Sequence, residues 1–104
     1  MAAESHRHVR IIGLEIRDAE LYRRYREQMT PLLHTYGGAF AYDFTVAEVL
    51  KSETPAPIQR VFVMRFPNAT AAERFFADPA YRAVRTEFFE PAVGCITKIA
   101  EYDE

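Results

Sequence analysis

Two short segments of the chain, Val9 to Ile16 (VRIIGLEI) and Arg60 to Phe66 (RVFVMRF), are apolar on both parities. Successive side chains of a strand point to opposite sides, so Val9, Ile11 and Gly13 form one row and Ile12, Leu14 and Ile16 the other. Val61 and Val63 stand against Phe62, Met64 and Phe66 in the same way. Both segments are too short for a buried helix, and a sheet built on them must be covered on both faces.

The intervening sequence says what covers the first face. Asp18 is a helix N-cap, and Tyr22, Tyr25, Met29, Leu32, Leu33 and Tyr36 recur at steps of three and four up to Gly37-Gly38, the stripe of an amphipathic helix. Pro31 inside it predicts a kink or break near Thr30. Ala39 to Val49 alternates Phe40, Tyr42, Phe44 and Val46 with Ala39, Ala41, Asp43 and Thr45, a strand with one bulky face, and Lys51 to Pro57 reads as a hairpin loop. Asn68 can cap a helix over Ala69 to Ala77. Asp78-Pro79 then restarts it to about Phe89, with Phe75, Phe76, Tyr81, Val84 and Phe88 as its buried stripe. Cys95 to Tyr102 alternates as a fourth strand. The order β-α-β-β-α-β closes most simply as a ferredoxin-like α+β fold: an antiparallel sheet with strands one and three central and both helices on one face.

The second row of the central strands then lies bare, a larger apolar patch than soluble monomers expose. A second copy packed sheet against sheet is the simplest cover, which predicts a homodimer. The 104 residues are expected to form one domain over 9–104 behind a flexible tail at 1–8. Thirteen Lys and Arg against fifteen Asp and Glu give a net charge of −2, too little cation to hold a phosphate backbone, so nucleic acid is not an expected partner. Cys95 is the lone cysteine, no apolar run reaches the roughly 20 residues of a membrane span, and a cytoplasmic location is expected. His6 and His8 make only a weak metal pattern, and neither a glycine-rich phosphate loop, a nucleophile elbow nor zinc spacing is present, so no metal or cofactor is expected.

Several runs carry a resemblance: Asp18 with Leu21-Tyr22 and Tyr25, Tyr36-Gly37-Gly38, Glu48-Val49-Leu50, Arg60 through Asn68, and Phe75 through Arg82. On these the chain resembles the small proteins called domain of unknown function 1330, of the dimeric α+β barrel superfamily, from about Val9 to Tyr102. The resemblance implies the ferredoxin-like fold and the sheet-to-sheet dimer, and brings no settled reaction with it. The chain departs from the family pattern at Tyr42-Asp43-Phe44, where an Arg-Gly-Gly run is usual, at Arg65, commonly acidic, and at Phe75-Phe76, commonly Trp-Tyr.

Glu15 and Arg65 are expected side by side, taking strands one and three as parallel neighbours. They read either as an anchor for an anionic or carbonyl ligand or as a structural ion pair at the dimer interface. Tyr22, Tyr25, Tyr36 and Tyr42 could line a cavity between helix and sheet that orients a small aromatic or polyketide-like substrate, the type bound by some cofactor-free members of the superfamily, or could be core residues with hydroxyls at the rim. Asp43 reads as a base or as an edge charge that blocks unwanted pairing. His34 falls on the solvated side of its helix, and Arg85 lies near the second stripe, within reach of a ligand or solvated.

The function expected on these grounds is a homodimeric small-molecule-binding protein with its pocket between helices and sheet, open to cofactor-independent chemistry on a small aromatic or carbonyl compound. A structural or accessory dimer without catalysis is the alternative. An RNA recognition module shares the element order, but strand three lacks both glycines of that signature and VRIIGLEI has no aromatic on which to stack a base.

Overall fold

A computed structural model of the protein describes residues 6–104. The chain runs β1 (His8–Ile16), α1 (Ala19–Thr35), β2 (Ala39–Thr45), β3 (Arg60–Phe66), α2 (Ala69–Ala77), α3 (Pro79–Val84), a π-helical turn (Arg85–Phe89), a short helical turn (Glu90–Ala92) and β4 (Val93–Asp103). The four strands form one sheet in the order β2-β3-β1-β4. Every neighbouring pair is antiparallel. The fold is ferredoxin-like α+β. The expected tail falls mostly on residues 1–5, which lie outside the described residues. At the other end of that stretch His8 opens β1, and the Glu104 N–H donates to the Arg7 carbonyl at 2.8 Å.

The parallel arrangement expected for strands one and three is corrected. The crossover through α1 makes β1 and β2 run the same way, and β3, which follows β2 directly and lies between them, must oppose both. Helix α1 is capped by Asp18, whose carboxylate accepts from the Leu21 N–H at 3.0 Å. It passes through Pro31 without the expected break. Pro31 lies on the exposed side, where water can bond the carbonyl it leaves without a donor, and the Thr30 hydroxyl donates to the Arg26 carbonyl in the same turn.

The helices cover the face carrying Ile12, Leu14, Phe62, Met64 and Phe66, which pack with Tyr22, Tyr25, Met29, Leu33, Phe75, Tyr81 and Phe89 in one core. Two local irregularities decide which side chains join it. In β2 the register passes from Phe40 opposite Met64 to Tyr42 opposite Val63, so Ala41 is an extra residue. Phe40 therefore turns to the helix side, edge-on to Phe62 at 5.3 Å, and Asp43, opposite Phe62, does too. Tyr42 and Phe44 turn to the other face. This corrects the single bulky row expected for Phe40, Tyr42 and Phe44. In the second helical segment the π turn inserts a residue, so Phe89 is buried where unbroken α periodicity points to Phe88.

Tyr42 and Phe44 on the uncovered face are 62% and 52% exposed. Across its middle lies the end of the 46–59 loop. Gly13 is the residue that permits this: a Cβ there would come within 2.9 Å of Ile58 Cγ2. The Gln59 N–H donates to the Leu14 carbonyl at 2.8 Å and holds the loop end in place. Among the described residues no helix is long and apolar enough to cross a membrane.

Candidate functional site

Between the helical layer and the sheet is a cavity of about 160 Å³, to which β1, α1, β2, β3, α2, α3, the π turn and β4 each contribute. Its walls are apolar: Ile12, Met29, Phe40, Phe62, Met64, Phe76, Phe89 and Ile96. Its polar groups are two phenols, Tyr25 and Tyr81, and two guanidinium groups, Arg10 and Arg85. Each is there for a local reason. Tyr25 lies one turn from Tyr22 and Met29 on the buried stripe of α1. Tyr81 is set by the Asp78 carboxylate, which accepts from the Ala80 and Tyr81 N–H groups at 2.7 and 3.2 Å, with Pro79 in the first turn. Arg10 shares its parity with Ile12, and Arg85 and Phe89 come from the π turn.

The Tyr25 and Tyr81 hydroxyls are hydrogen-bonded to each other at 2.8 Å. Two hydroxyl groups that share one bond use one proton. The other proton has no acceptor among the described residues, so the pair offers a donor to whatever enters. Burial pushes both phenols above their ordinary range, Tyr25 furthest, so neither is a base near neutral pH. The Arg10 guanidinium stands 4.4 Å from the Phe76 ring centroid and that of Arg85 4.8 Å from the Phe89 centroid. Each charge is thus held over an aromatic face, with its N–H edges left for other partners.

A second polar cluster lies at the β2 edge. Asp43 accepts from Arg60 at 2.9 and 2.8 Å and pairs with Arg26 of α1 at 2.8 Å, beside a surface depression of about 360 Å³ lined by Arg23, Arg26, Glu27, Thr30 and Arg60. Burial opposes the charge on Asp43, but hydrogen bonds from Arg60 and the charge of Arg26 outweigh it and hold the carboxyl below its usual range. Arg26 also stacks on Phe40 at 3.6 Å. In this cluster the charges already answer one another. The cavity between helices and sheet is the better site because its two guanidinium groups face no carboxylate in its lining.

The structure separates most residues singled out in the sequence. Tyr25 lines the cavity. Tyr22 is buried in the core beside it, its hydroxyl 3.4 Å from an Arg26 donor. Tyr36 donates instead to Asp78, tying the end of α1 to the α2–α3 junction. Tyr42 is on the uncovered face. Arg65 stands opposite Val9 and pairs with Glu104 at 3.3 Å, whereas Glu15 follows Leu14, the residue that stands opposite Arg60. The expected juxtaposition of Glu15 and Arg65 is therefore overturned by the antiparallel register, which sends them to opposite ends of the sheet. Glu15 sits instead over Gly94, where a Cβ would lie 2.2 Å from its Oε1, with Arg17 at 3.6 Å. His34 is exposed. Among the described residues no group of three or more His, Cys, Asp or Glu could hold a metal ion. Arg10 was missed in the sequence, although its alternation with Ile12 and Leu14 was the signal that could have found it.

Solved structures of similar fold include a protein of unknown function from Rhodopseudomonas palustris (TM-score 0.77, 17% identity, 96% of this chain and 82% of that one). Another is the hydroxynitrile lyase of Passiflora edulis (TM-score 0.70, 13% identity, 96% and 94%). A third is a dimeric ferredoxin-like protein of unknown function from Thermobifida fusca (TM-score 0.55, 11% identity, 97% and 93%). At these identities the likeness is one of fold. No curated protein matches the chain. The pattern of the family described as Domain of unknown function (DUF1330) matches residues 10–92, most of the sheet and all of the helices, and the chain belongs to that family.

Proposed function

We propose that the protein is a homodimer in which each protomer binds a small organic molecule in the cavity between helices and sheet. The observation that carries this reading is an apolar cavity on which two phenols and two guanidinium groups converge, with Arg10 Nε buried and without a hydrogen-bond partner, the usual form of a small-molecule site. Its volume of about 160 Å³ suits one six-membered ring or a short branched chain, since an apolar cavity of about 150 Å³ holds a benzene. The spare phenolic proton of the Tyr25–Tyr81 pair is suited to a carbonyl oxygen and would stabilise negative charge developing there. The hydroxynitrile lyase of similar fold supports a catalytic use of this architecture, and the dimeric Thermobifida fusca protein supports the pairing. The sheet face turned away from the helices, where Tyr42 and Phe44 stay exposed beside the loop end at Ile58, is the surface through which two copies would meet.

Sedimentation velocity is expected to give a particle of twice 12.0 kDa. Titration with benzyl alcohol, followed by amide and methyl NMR, is expected to shift signals of Met29, Met64 and Tyr81 first. Filling the space with Met29→Phe should weaken those shifts. Shifts scattered over the surface, or none, would overturn the cavity reading, and a monomer at all concentrations would overturn the dimer.

A further inference from the structure

We infer that the ligand of this cavity is an anion, a carboxylate on a single-ring or short-chain apolar body, held between Arg10 and Arg85. This rests on the cavity being a ligand site and adds the chemistry of what it takes.

The lining contains two cations and no carboxylate. Removing a guanidinium from water costs free energy unless an anion compensates it. Each arginine has one carboxylate of the chain within ion-pair distance, and neither pair is closed by a hydrogen bond. The carboxylate facing Arg10 is Glu101, 3.5 Å from its Nε, too far for a hydrogen bond. That carboxylate is already engaged by His8 at 2.7 Å and by Lys98 at 2.9 Å. Arg10 Nε is consequently buried without a hydrogen-bond partner. Arg85, whose side chain keeps 37% of its exposure, has Glu90 at 3.9 Å, itself largely exposed, so its charge is only partly answered on the cavity side. Both side chains are braced on rings, Phe76 and Phe89, that belong to the same cavity wall.

A planar fork of N–H donors is the natural complement of a carboxylate, and the Tyr25–Tyr81 pair adds a second kind of donor and no fixed acceptor. By contrast, the apolar wall formed by Ile12, Met29, Phe62 and Met64 leaves no polar partner for a sugar or a polyol. The charge distribution therefore selects a compound with one anionic end and one greasy end.

Benzoate and benzyl alcohol, similar in size and different in charge, test this on the full chain. Titrations followed at the cavity signals should show benzoate binding about tenfold tighter or more, a difference of about 1.4 kcal/mol. Arg10→Met and Arg85→Met should each reduce that preference to about twofold or less while leaving benzyl alcohol binding nearly unchanged. Arg10→Lys, which keeps the charge, should retain part of the preference, so that a loss in Arg10→Met cannot be assigned to misfolding. Equal binding of the two probes by the unaltered protein, or a benzoate preference that survives both Met substitutions, would overturn the anionic ligand and leave the cavity reading standing. Failure of both probes to shift cavity signals would overturn both.

Discussion

His8 shows how much one side chain can depend on its neighbours. Its Nδ1 lies 2.8 Å from Asp103 and its Nε2 2.7 Å from Glu101, so one imidazolium ties the first residue of β1 to the last turn of pleat in β4. Burial works against its charge, but the hydrogen bonds and charges of Asp103 and Glu101 outweigh this and raise its pKa above the ordinary 6.5. Hydrogen bonds from Lys98 and then His8 hold Glu101 down at about 2, against an ordinary 4.5. The stabilisation from His8 is complete below 6.5 and is lost as pH rises through the raised value. That from Glu101 is complete above 4.5 and is lost as pH falls toward about 2. Amide protection at the His8–Asp103 end of the β1–β4 ladder should therefore be greatest between 4.5 and 6.5, and His8→Ala should abolish its decline on the alkaline side. Protection that stays level across that alkaline range in the unaltered protein would contradict the bridge.

At the scale of elements, Pro31 is a stability cost that the helix carries without breaking. Because it lies on the solvent side, Pro31→Ala should restore a backbone hydrogen bond without disturbing the core. A gain of about 1 to 3 kcal/mol, read from urea midpoints at unchanged m-value, is expected. The elements themselves were largely legible. The apolar runs at Val9 and Arg60, the stripe through Tyr22, Tyr25 and Met29, and the Asp78-Pro79 restart each carry a local chemical signal that tertiary contacts reinforce. What was not legible has a common cause. A π turn and an α turn draw on the same residues, so nothing in RTEFF announces that Phe89 replaces Phe88, although the position of Arg85 near the stripe already puts it within reach of a ligand. Likewise the extra residue at Ala41 depends on how β3 pairs, and Glu15 and Arg65 could be placed correctly only from strand direction, which is a property of the connections. Of the residues proposed for the site, Tyr25 is legible from periodicity, whereas an arginine among isoleucines reads as an edge residue until the helices above it are in place.

For the whole molecule the decisive surface is the one the helices do not touch. Phe44 is half exposed there and stands opposite Val61. If two copies meet on this face, Phe44→Glu places a charge against apolar surface from both sides of the two-fold axis at once. Sedimentation should then show the monomer, with the circular dichroism spectrum of the folded chain retained, and an undiminished dimer would place the interface elsewhere. The single added residue at Ala41 gives this surface its character as well as serving the interior. Were Ala41 instead paired opposite Val63 in an unbroken ladder, the strand beyond it would slip by one residue: the Asp43 carboxylate would leave Arg26 and Arg60 for the outer surface, and the rings of Tyr42 and Phe44 would be driven under α1. One backbone irregularity thus keeps the exposed rings of Tyr42 and Phe44 and the ion-paired carboxylate of Asp43 on opposite sides of the same strand, and a one-residue slip of pairing at that point would exchange them.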